Sequence, residues 1–255
     1  MRTREIVKKI AYRTFKTFGF DIPRRSVRTS LTGVLDHVNS LGFQPQTVID
    51  VGVAYGTFEL YEKFPDANHL LVEPVSECED FLKDICRKYK AQYVLAAAGK
   101  KPGTIVINVH RGIQGSSILK ETEGSHADGI PREIPMVTID DLCRERNLKG
   151  SYLIKVDVQG AELEVLEGAK KIMKDTELIL LEVSLFEFMV NSPQLYDVVS
   201  YMKEQGFVVY DIFCGCTRPL DGALAQVDMA FVKENGRFRQ DHAYATKEQR
   251  EQLNI

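Results

Sequence analysis

Two glycines four residues apart follow a short apolar run, and residues of these types at this spacing suit a nucleotide-like ligand. The run 48–51 includes the acidic Asp50, and Gly52 and Gly56 precede a segment that predicts a helix. A buried strand that ends in a tight glycine turn brings backbone N–H groups and a helix N-terminus to one edge of a sheet. The sequence therefore predicts a ligand site at that edge.

The turn differs from the fingerprint that binds a dinucleotide. That fingerprint reads G-x-G-x-x-G/A, so that the backbone can close on a pyrophosphate. Here Ala54 stands at the second glycine and Glu59 at the third small residue. S-adenosylmethionine carries no phosphate, and its cationic sulfonium is compatible with Asp50. The turn favours this cofactor over a nicotinamide dinucleotide, which stays open as an alternative.

Acidic residues also follow three later strands of the predicted sheet. Glu73 ends the run 70–73 about twenty residues after the turn, where an acidic side chain binds a ribose diol. Lys155 and Asp157 alternate with apolar residues along a strand that should be buried, and buried charges cost several kcal/mol unless they are paired. Asp157 at the strand end therefore predicts function, and Glu182 ends the run 178–183 in the same way. Glu162 and Glu164 fall in the first turn of a helix, where negative charge suits the helix dipole.

Taken together, these motifs resemble the FkbM-type family of S-adenosylmethionine-dependent methyltransferases over roughly residues 45–233. The resembling features are, in chain order, Val48-Ile49-Asp50-Val51-Gly52 with Gly56, Val72-Glu73-Pro74, Ser116-Ser117-Ile118-Leu119, Val137-Thr138-Ile139-Asp140-Asp141-Leu142, Ile154-Lys155-Val156-Asp157-Val158-Gln159-Gly160-Ala161-Glu162, and Asp228 before Phe231-Val232. Two residues depart from the family pattern, which often has Asn where Tyr55 stands and Glu where Gln159 stands.

The resemblance implies O-methylation of a hydroxyl group on a small metabolite or a saccharide, with S-adenosylmethionine as the cofactor. Their places at strand ends predict Asp157 and Glu182 as the catalytic residues. No ligand spacing demands a metal ion, although carboxylates and a divalent ion could together activate a hydroxyl group, and that alternative stays open. The residues expected to bind the cofactor are Asp50, Gly52, Tyr55, Gly56, Glu73, Ser117 and Asp157. His110 and His126 are alternative general bases in the loop that contains Ser117. Two other functions stay open: a non-catalytic binding or scaffold protein with the same fold, and a nicotinamide-dependent oxidoreductase.

Strands alternate with helices along the chain, which predicts an α/β fold of the Rossmann-like class I methyltransferase type, a mostly parallel sheet with helices on both faces. Strands are predicted near 48–51, 69–73, 93–97, 152–157, 178–183, 207–212 and 228–232, and helices near 27–41, 57–64, 76–90, 139–147, 162–173 and 194–205. The link before 228–232 is too short for a crossover helix, so this strand should form a C-terminal antiparallel hairpin. Residues 103–138 predict a hairpin and loop insertion, with Pro135 favouring an edge strand.

The amino-acid composition is typical of an ordinary globular protein. The 255 residues are 44% hydrophobic and 27% charged, and the net charge of -3 argues against nucleic-acid binding. No apolar run reaches the ~18 residues of a membrane span, and the N-terminus lacks the apolar core of a signal peptide. Five cysteines without a framework spacing fit reduced thiols and a cytoplasmic location.

The N-terminal segment carries a concentrated positive charge. Residues 1–28 hold nine Lys or Arg residues against two acidic ones, with apolar residues at helical spacing. We therefore predict two parts: a basic amphipathic helical extension at residues 1–45, and an S-adenosylmethionine-binding domain at residues 46–255. We expect this extension either to pack on the domain or on a partner chain, or to contact an anionic lipid or a phosphorylated substrate. Phe15 and Phe18 in this segment would suit a homodimer contact.

Overall fold

A seven-stranded sheet forms the centre of the molecule. The computed structural model describes residues 27–253. The strands lie in the order β3-β2-β1-β7-β8-β10-β9. Their bounds are β1 (Thr47–Val51), β2 (Asn68–Glu73), β3 (Ala91–Leu95), β7 (Tyr152–Val156), β8 (Thr176–Ser184), β9 (Phe207–Thr217) and β10 (Leu224–Lys233). Except for β10, neighbouring strands of this sheet run parallel, which confirms the predicted Rossmann-like α/β fold.

Helices cover both faces of the sheet. They are α1 (Leu31–Ser40), α2 (Phe58–Lys63), α3 (Glu79–Lys88), α4 (Ile139–Glu145), α5 (Glu162–Glu167) and α6 (Leu195–Glu204). A further helix, α7 (Lys247–Leu253), is exposed over residues 247–252. Every residue of β1 is buried, because apolar clusters lie on both sides of the sheet. None of the helices in residues 27–253 is long and apolar enough to cross a membrane.

The helix predicted at 162–173 is shorter than expected. It ends at Glu167, and a separate 3-10 turn follows at Ile172–Asp175. The break lies at Gly168, where a Cβ atom would lie 2.1 Å from the carbonyl oxygen of Gly99. The chain is therefore pressed against a neighbouring backbone where the predicted helix would continue.

The C-terminal hairpin is confirmed. β10 pairs antiparallel with β9 on one side and with β8 on the other. The register of β9 and β10 shifts on both sides of Gln226, and β9 carries one extra residue between Cys216 and Phe213. Because side chains alternate between the faces of a strand, such a shift changes which residues face the site.

The insertion at 103–138 forms a second, smaller sheet. β5 (Gly103–Val109) pairs antiparallel with β6 (Ile130–Val137), and the two-residue strand β4 (Ala97–Ala98) pairs with the other side of β6. The edge position predicted from Pro135 is therefore wrong for the strand as a whole. Pro135 is tolerated because β4 covers only Met136 and Val137 and leaves Pro135 without a partner on that side.

The predicted N-terminal extension is described only from residue 27 onward. The basic amphipathic helix, Phe15 and Phe18 lie outside the described residues. The helix predicted at 27–41 is present as α1, with the Ser30 side chain accepting a hydrogen bond from the Gly33 N–H at its start. Val34, Leu35 and Val38 of α1 are buried in the same apolar cluster as Val48. This helix therefore packs in the same core as β1, and the division of the chain at residues 45 and 46 stays a prediction.

Candidate functional site

A cavity of about 500 Å³ opens at the carboxyl ends of the central strands. Because β1, β2, β7 and β8 are parallel, the residues that follow them meet at this edge. The predicted site residues in its wall are Gly52, Tyr55, Gly56, Glu73, Ser117, Asp157 and Glu182. Its volume falls within the roughly 300–1,000 Å³ of small-molecule sites.

The turn after β1 is held against both neighbouring strands. The Gly52 N–H donates to the Val72 carbonyl oxygen at 2.9 Å, and the Asp157 N–H donates to the Val51 carbonyl oxygen at 3.0 Å. Gly52 and Gly56 have φ angles of +78° and +109°, a region that favours glycine. The two predicted glycines are thus needed for the path of the chain along the cavity wall.

Glu73 connects this turn to the end of β2 through two hydrogen bonds. Its Oε2 accepts from the Ala54 N–H and its Oε1 from the Val75 N–H, both at 2.8 Å. Burial raises the pKa of Glu73, and the two backbone N–H groups oppose the increase. A carboxylate has about four acceptor positions, so each oxygen retains the capacity to accept a hydroxyl group.

Asp50 does not line the cavity, although the sequence places it among the cofactor-binding residues. It is fully buried, and its Oδ2 accepts from the Tyr61 hydroxyl at 2.5 Å. The Tyr61 oxygen in turn accepts from the Thr57 N–H at 3.1 Å. Burial raises the pKa of Asp50, while the Lys155 ammonium, 4.0 Å from Oδ1, opposes the increase. Asp50 therefore stabilises the turn through Tyr61 and does not itself reach the cavity. The sequence analysis did not identify Tyr61.

Asp157 is oriented from two sides. Its Oδ2 lies 3.2 Å from the Lys155 Nζ, and its Oδ1 accepts from the Gln159 side-chain N–H at 3.0 Å. Burial alone would lower the pKa of Lys155, but the carboxylates of Asp157, Asp50 and Asp228 raise it above its usual value. The lysine is thus a permanent cation that holds one oxygen of Asp157 in place.

Glu182 lies beside Asp157 and shares a hydrogen-bond donor with it. Its Oε2 accepts from the side-chain amides of Gln159 at 2.7 Å and Gln226 at 2.8 Å. Burial raises the pKa of Glu182 to about 8, with further contributions from the nearby Asp157, Glu162 and Asp228. At neutral pH this side chain is therefore mostly protonated and able to donate a hydrogen bond.

The hairpin adds three residues that the sequence analysis did not assign to the site. Asp228 is the register partner of Glu182, and Asp228 and Cys214 both line the cavity. Burial raises the pKa of Asp228, and its hydrogen bond with Cys214 opposes the increase. Gln226, the third residue, acts through Glu182. The alternating pattern of β10 was the available signal for Asp228.

The long loop reaches the site through Ser117. This buried serine donates from its Oγ to the Gln159 carbonyl oxygen at 2.8 Å, and its Oγ accepts from the Leu119 N–H. Tyr55 is partly exposed at the cavity rim, with its ring edge-on to Phe81 at 5.0 Å between centroids. His110 and His126 are not in the cavity wall, and His110 instead lies 3.8 Å from Glu121.

Comparison with known proteins identifies a matching family. A family model described as the methyltransferase FkbM domain matches residues 50–209. A curated relative, Methyltransferase sdnD of Sordaria araneosa, is 28% identical over 169 residues. That alignment covers 52% of this chain and 64% of the relative, so the chain spans less than two thirds of the relative's length.

Several solved methyltransferase structures resemble the chain at low identity. The precorrin-6y C5,15-methyltransferase of Geobacter metallireducens GS-15 is 12% identical with a TM-score of 0.42, over 83% of this chain and 93% of that one. The magnesium protoporphyrin IX methyltransferase of Synechocystis PCC 6803 is 10% identical with a TM-score of 0.44, over 80% and 76%. Because these sequence identities and TM-scores are low, the assignment of the chain to a family rests on the family match and on the chain's own sheet topology.

Proposed function

The chain belongs to the FkbM methyltransferase family, whose cofactor is S-adenosylmethionine, and from this premise we propose that it methylates a hydroxyl oxygen of a small molecule or saccharide. The observation that carries the proposal is the Asp157 carboxylate, which lies in the cavity wall and is held by Lys155 and Gln159. When bound, S-adenosylmethionine supplies a methyl group on a cationic sulfur.

The residues along β1 and β2 fit this cofactor. Glu73 keeps acceptor capacity for ribose hydroxyls, and the glycine turn leaves backbone rather than side chains along the wall. The cationic side chain in the cavity wall of the described chain is Lys155, and it is paired with Asp157. Glu59, Glu73, Asp157 and Asp228 make the wall acidic, which suits a sulfonium ion.

Asp157 acts on the acceptor in this proposal. A hydroxyl oxygen must lose its proton as it attacks, and a carboxylate within hydrogen-bond reach accepts that proton. Lys155 and Gln159 fix both oxygens of Asp157, so the base is already oriented when the acceptor arrives. Glu182, protonated at neutral pH, donates a hydrogen bond that positions the acceptor.

The proposal is tested with radiolabelled S-adenosylmethionine and a panel of sugars, polyols and hydroxylated polyketides. We expect label on a product oxygen, located by mass spectrometry. We expect Asp157→Asn to lower turnover by about 100-fold or more and to weaken cofactor binding far less than that. Asp84→Asn, which removes an exposed carboxylate on α3, is the matched control and should retain full turnover.

Two results would contradict this function. Transfer of the label to nitrogen or carbon would exclude O-methylation, and normal turnover of Asp157→Asn would exclude the role of that residue. Binding of the cofactor with no turnover on any member of the panel would favour the scaffold alternative.

A further inference from the structure

One amide side chain lies between two carboxyl groups of the cavity wall. Gln159 Nε2 is 3.0 Å from Asp157 Oδ1 and 2.7 Å from Glu182 Oε2. A carboxamide nitrogen carries two N–H donors, so this pair uses both of them. Asp157 follows β7 and Glu182 belongs to β8, which means that Gln159 joins the ends of two neighbouring strands.

Two carboxyl groups that share one neighbour repel each other unless a proton or a counter-charge compensates them. The charged groups that face Glu182 are Asp157 and Glu162 from the chain after β7 and from α5, and Asp228 from β10. Lys155 Nζ compensates Asp157 from 3.2 Å, and the raised pKa of Glu182 leaves a proton on that carboxyl at neutral pH. The negative charge of the carboxyl pair is thus compensated by the Lys155 ammonium group, by the proton on Glu182 and by the two N–H donors of Gln159.

The backbone fixes Gln159 in this position. Its φ angle is +54°, in the left-handed region, which is strained for a residue other than glycine. Its carbonyl oxygen accepts the hydrogen bond from Ser117 Oγ at 2.8 Å. Both the main chain and the side chain of Gln159 are therefore held by hydrogen bonds. These bonds keep the amide group between the two carboxyl groups.

We propose that Gln159 is a positioning residue that occupies the place of a bridging divalent cation between Asp157 and Glu182. A divalent ion binds carboxylate oxygens at about 2.0–2.6 Å, so an ion that bridged Asp157 Oδ1 and Glu182 Oε2 would have to lie where the amide nitrogen now lies. The carboxyl pair is held by this amide and by Lys155, and it requires no metal ion. The inference rests on the proposed function only in treating Asp157 as the base.

Binding of Mn²⁺ to the full-length chain tests the proposal without an acceptor. We would measure this binding by electron paramagnetic resonance and calorimetry, at a pH above the pKa of Glu182. The wild-type chain should bind no stoichiometric Mn²⁺. Gln159→Glu replaces the donor with a third carboxylate, and it should bind one Mn²⁺ about tenfold or more tightly than the wild type, because affinity rises with ligand charge. Adding Asp157→Asn to this variant should abolish the gain.

Gln226→Glu is the matched control. It adds a carboxylate beside Glu182 but does not contact Asp157, so the Gln159 amide remains in place and no Mn²⁺ should bind. Should Gln159→Glu fail to fold, Gln159→Met removes both donors without adding charge. We expect Gln159→Met to bind Mn²⁺ more tightly than the wild type, to a smaller extent.

Two outcomes would overturn the proposal. One is a wild-type Mn²⁺ site that Asp157→Asn removes. The other is a folded Gln159 variant that binds Mn²⁺ no better than the wild type. Titration of the same proteins with S-adenosylmethionine separates this inference from the proposed function, because a chain that does not bind the cofactor can still show the predicted Mn²⁺ result.

Discussion

Gly52 and Asp157 are in contact backbone to backbone. A Cβ atom on Gly52 would lie 1.8 Å from the Asp157 carbonyl oxygen and 2.8 Å from the carbonyl carbon. The chain segments that follow β1 and β7 can approach this closely only because one of them carries no side chain. The glycine turn and the Asp157 carboxylate consequently share one wall of the cavity.

Replacing Gly52 with alanine should separate the two segments. The added methyl group meets main-chain atoms that cannot rotate away, at a φ angle of +78° that disfavours alanine. We expect a loss of about 3 kcal/mol in the free energy of unfolding and weaker cofactor binding. Urea unfolding and calorimetry measure the two effects. Gly112→Ala, with open space around it and an ordinary φ angle, should change neither quantity, and equal effects of both substitutions would refute the contact.

Glu73 should be needed for cofactor affinity. In Glu73→Gln one carboxylate oxygen becomes an NH₂ group that faces a backbone N–H of Ala54 or Val75, and an acceptor for the ribose is lost. Hydrogen bonds to a charged group contribute about 1.5–3 kcal/mol, so the dissociation constant for S-adenosylmethionine should rise about tenfold or more. The control is Glu77→Gln, which changes an exposed carboxylate that pairs with Arg132. Unchanged affinity in Glu73→Gln would contradict the ribose role.

Tyr61 should stabilise the turn through Asp50. Tyr61→Phe removes the hydroxyl that donates to Asp50 and accepts from Thr57, so the buried Asp50 loses its hydrogen bond at Oδ2. We expect a loss of about 1–3 kcal/mol in unfolding free energy. In a double-mutant cycle with Asp50→Asn the two losses should be less than additive. Tyr89→Phe, whose hydroxyl is on the surface, should be close to neutral. Full additivity would show that Asp50 and Tyr61 do not act as a pair.

Glu162 gives stability a defined pH dependence. Its Oε1 accepts from the N–H groups of Val158 and Gly160 at 3.1 Å, and burial raises the pKa of Glu162 from 4.5 to about 7. Between these two values the unfolded chain has released the proton that the folded chain still binds. The free energy of unfolding therefore falls as pH rises through this range.

Glu162→Gln should flatten this dependence. The amide oxygen can accept from both N–H groups, but the side chain no longer titrates. We expect the slope of unfolding free energy against pH to decrease by up to about 1.4 kcal/mol per pH unit between about pH 4.5 and 7. Urea unfolding at several pH values measures the slope, and Glu164→Gln on the exposed face of α5 is the control. Parallel curves for Glu162→Gln and the wild type would disprove the assignment. The raised pKa of Glu182 should leave some slope in the variant.

The sequence predicted the strand ends well because the central strands are short apolar runs buried on both faces. An acidic residue or a glycine that closes such a run must lie at the edge of the sheet, which is why Gly52, Glu73, Asp157 and Glu182 were placed in the cavity wall. The same reasoning failed for Asp50. It lies within β1, and no alternation in an all-buried strand tells which way its side chain points.

The contribution of Cys214 could not be read from the sequence. Cys214 lies on β9 where the register of β9 and β10 shifts, whereas Gln226 and Asp228 reach Glu182 through the regular pairing of β10 with β8. Hydrophobic alternation sets the register only while the ladder is regular, and extra residues in one strand change the facing residues without a change in composition. The bridging role of Gln159 depends on its backbone conformation, which its residue type does not indicate.

We infer above all that the cavity at the ends of β1, β2 and β7 binds S-adenosylmethionine. Calorimetric titration of the chain with this cofactor, and separately with NAD, is the decisive measurement. We predict saturable binding of one S-adenosylmethionine per chain and no binding of NAD. Binding of NAD alone would assign the cavity to an oxidoreductase, and binding of neither compound would contradict the account.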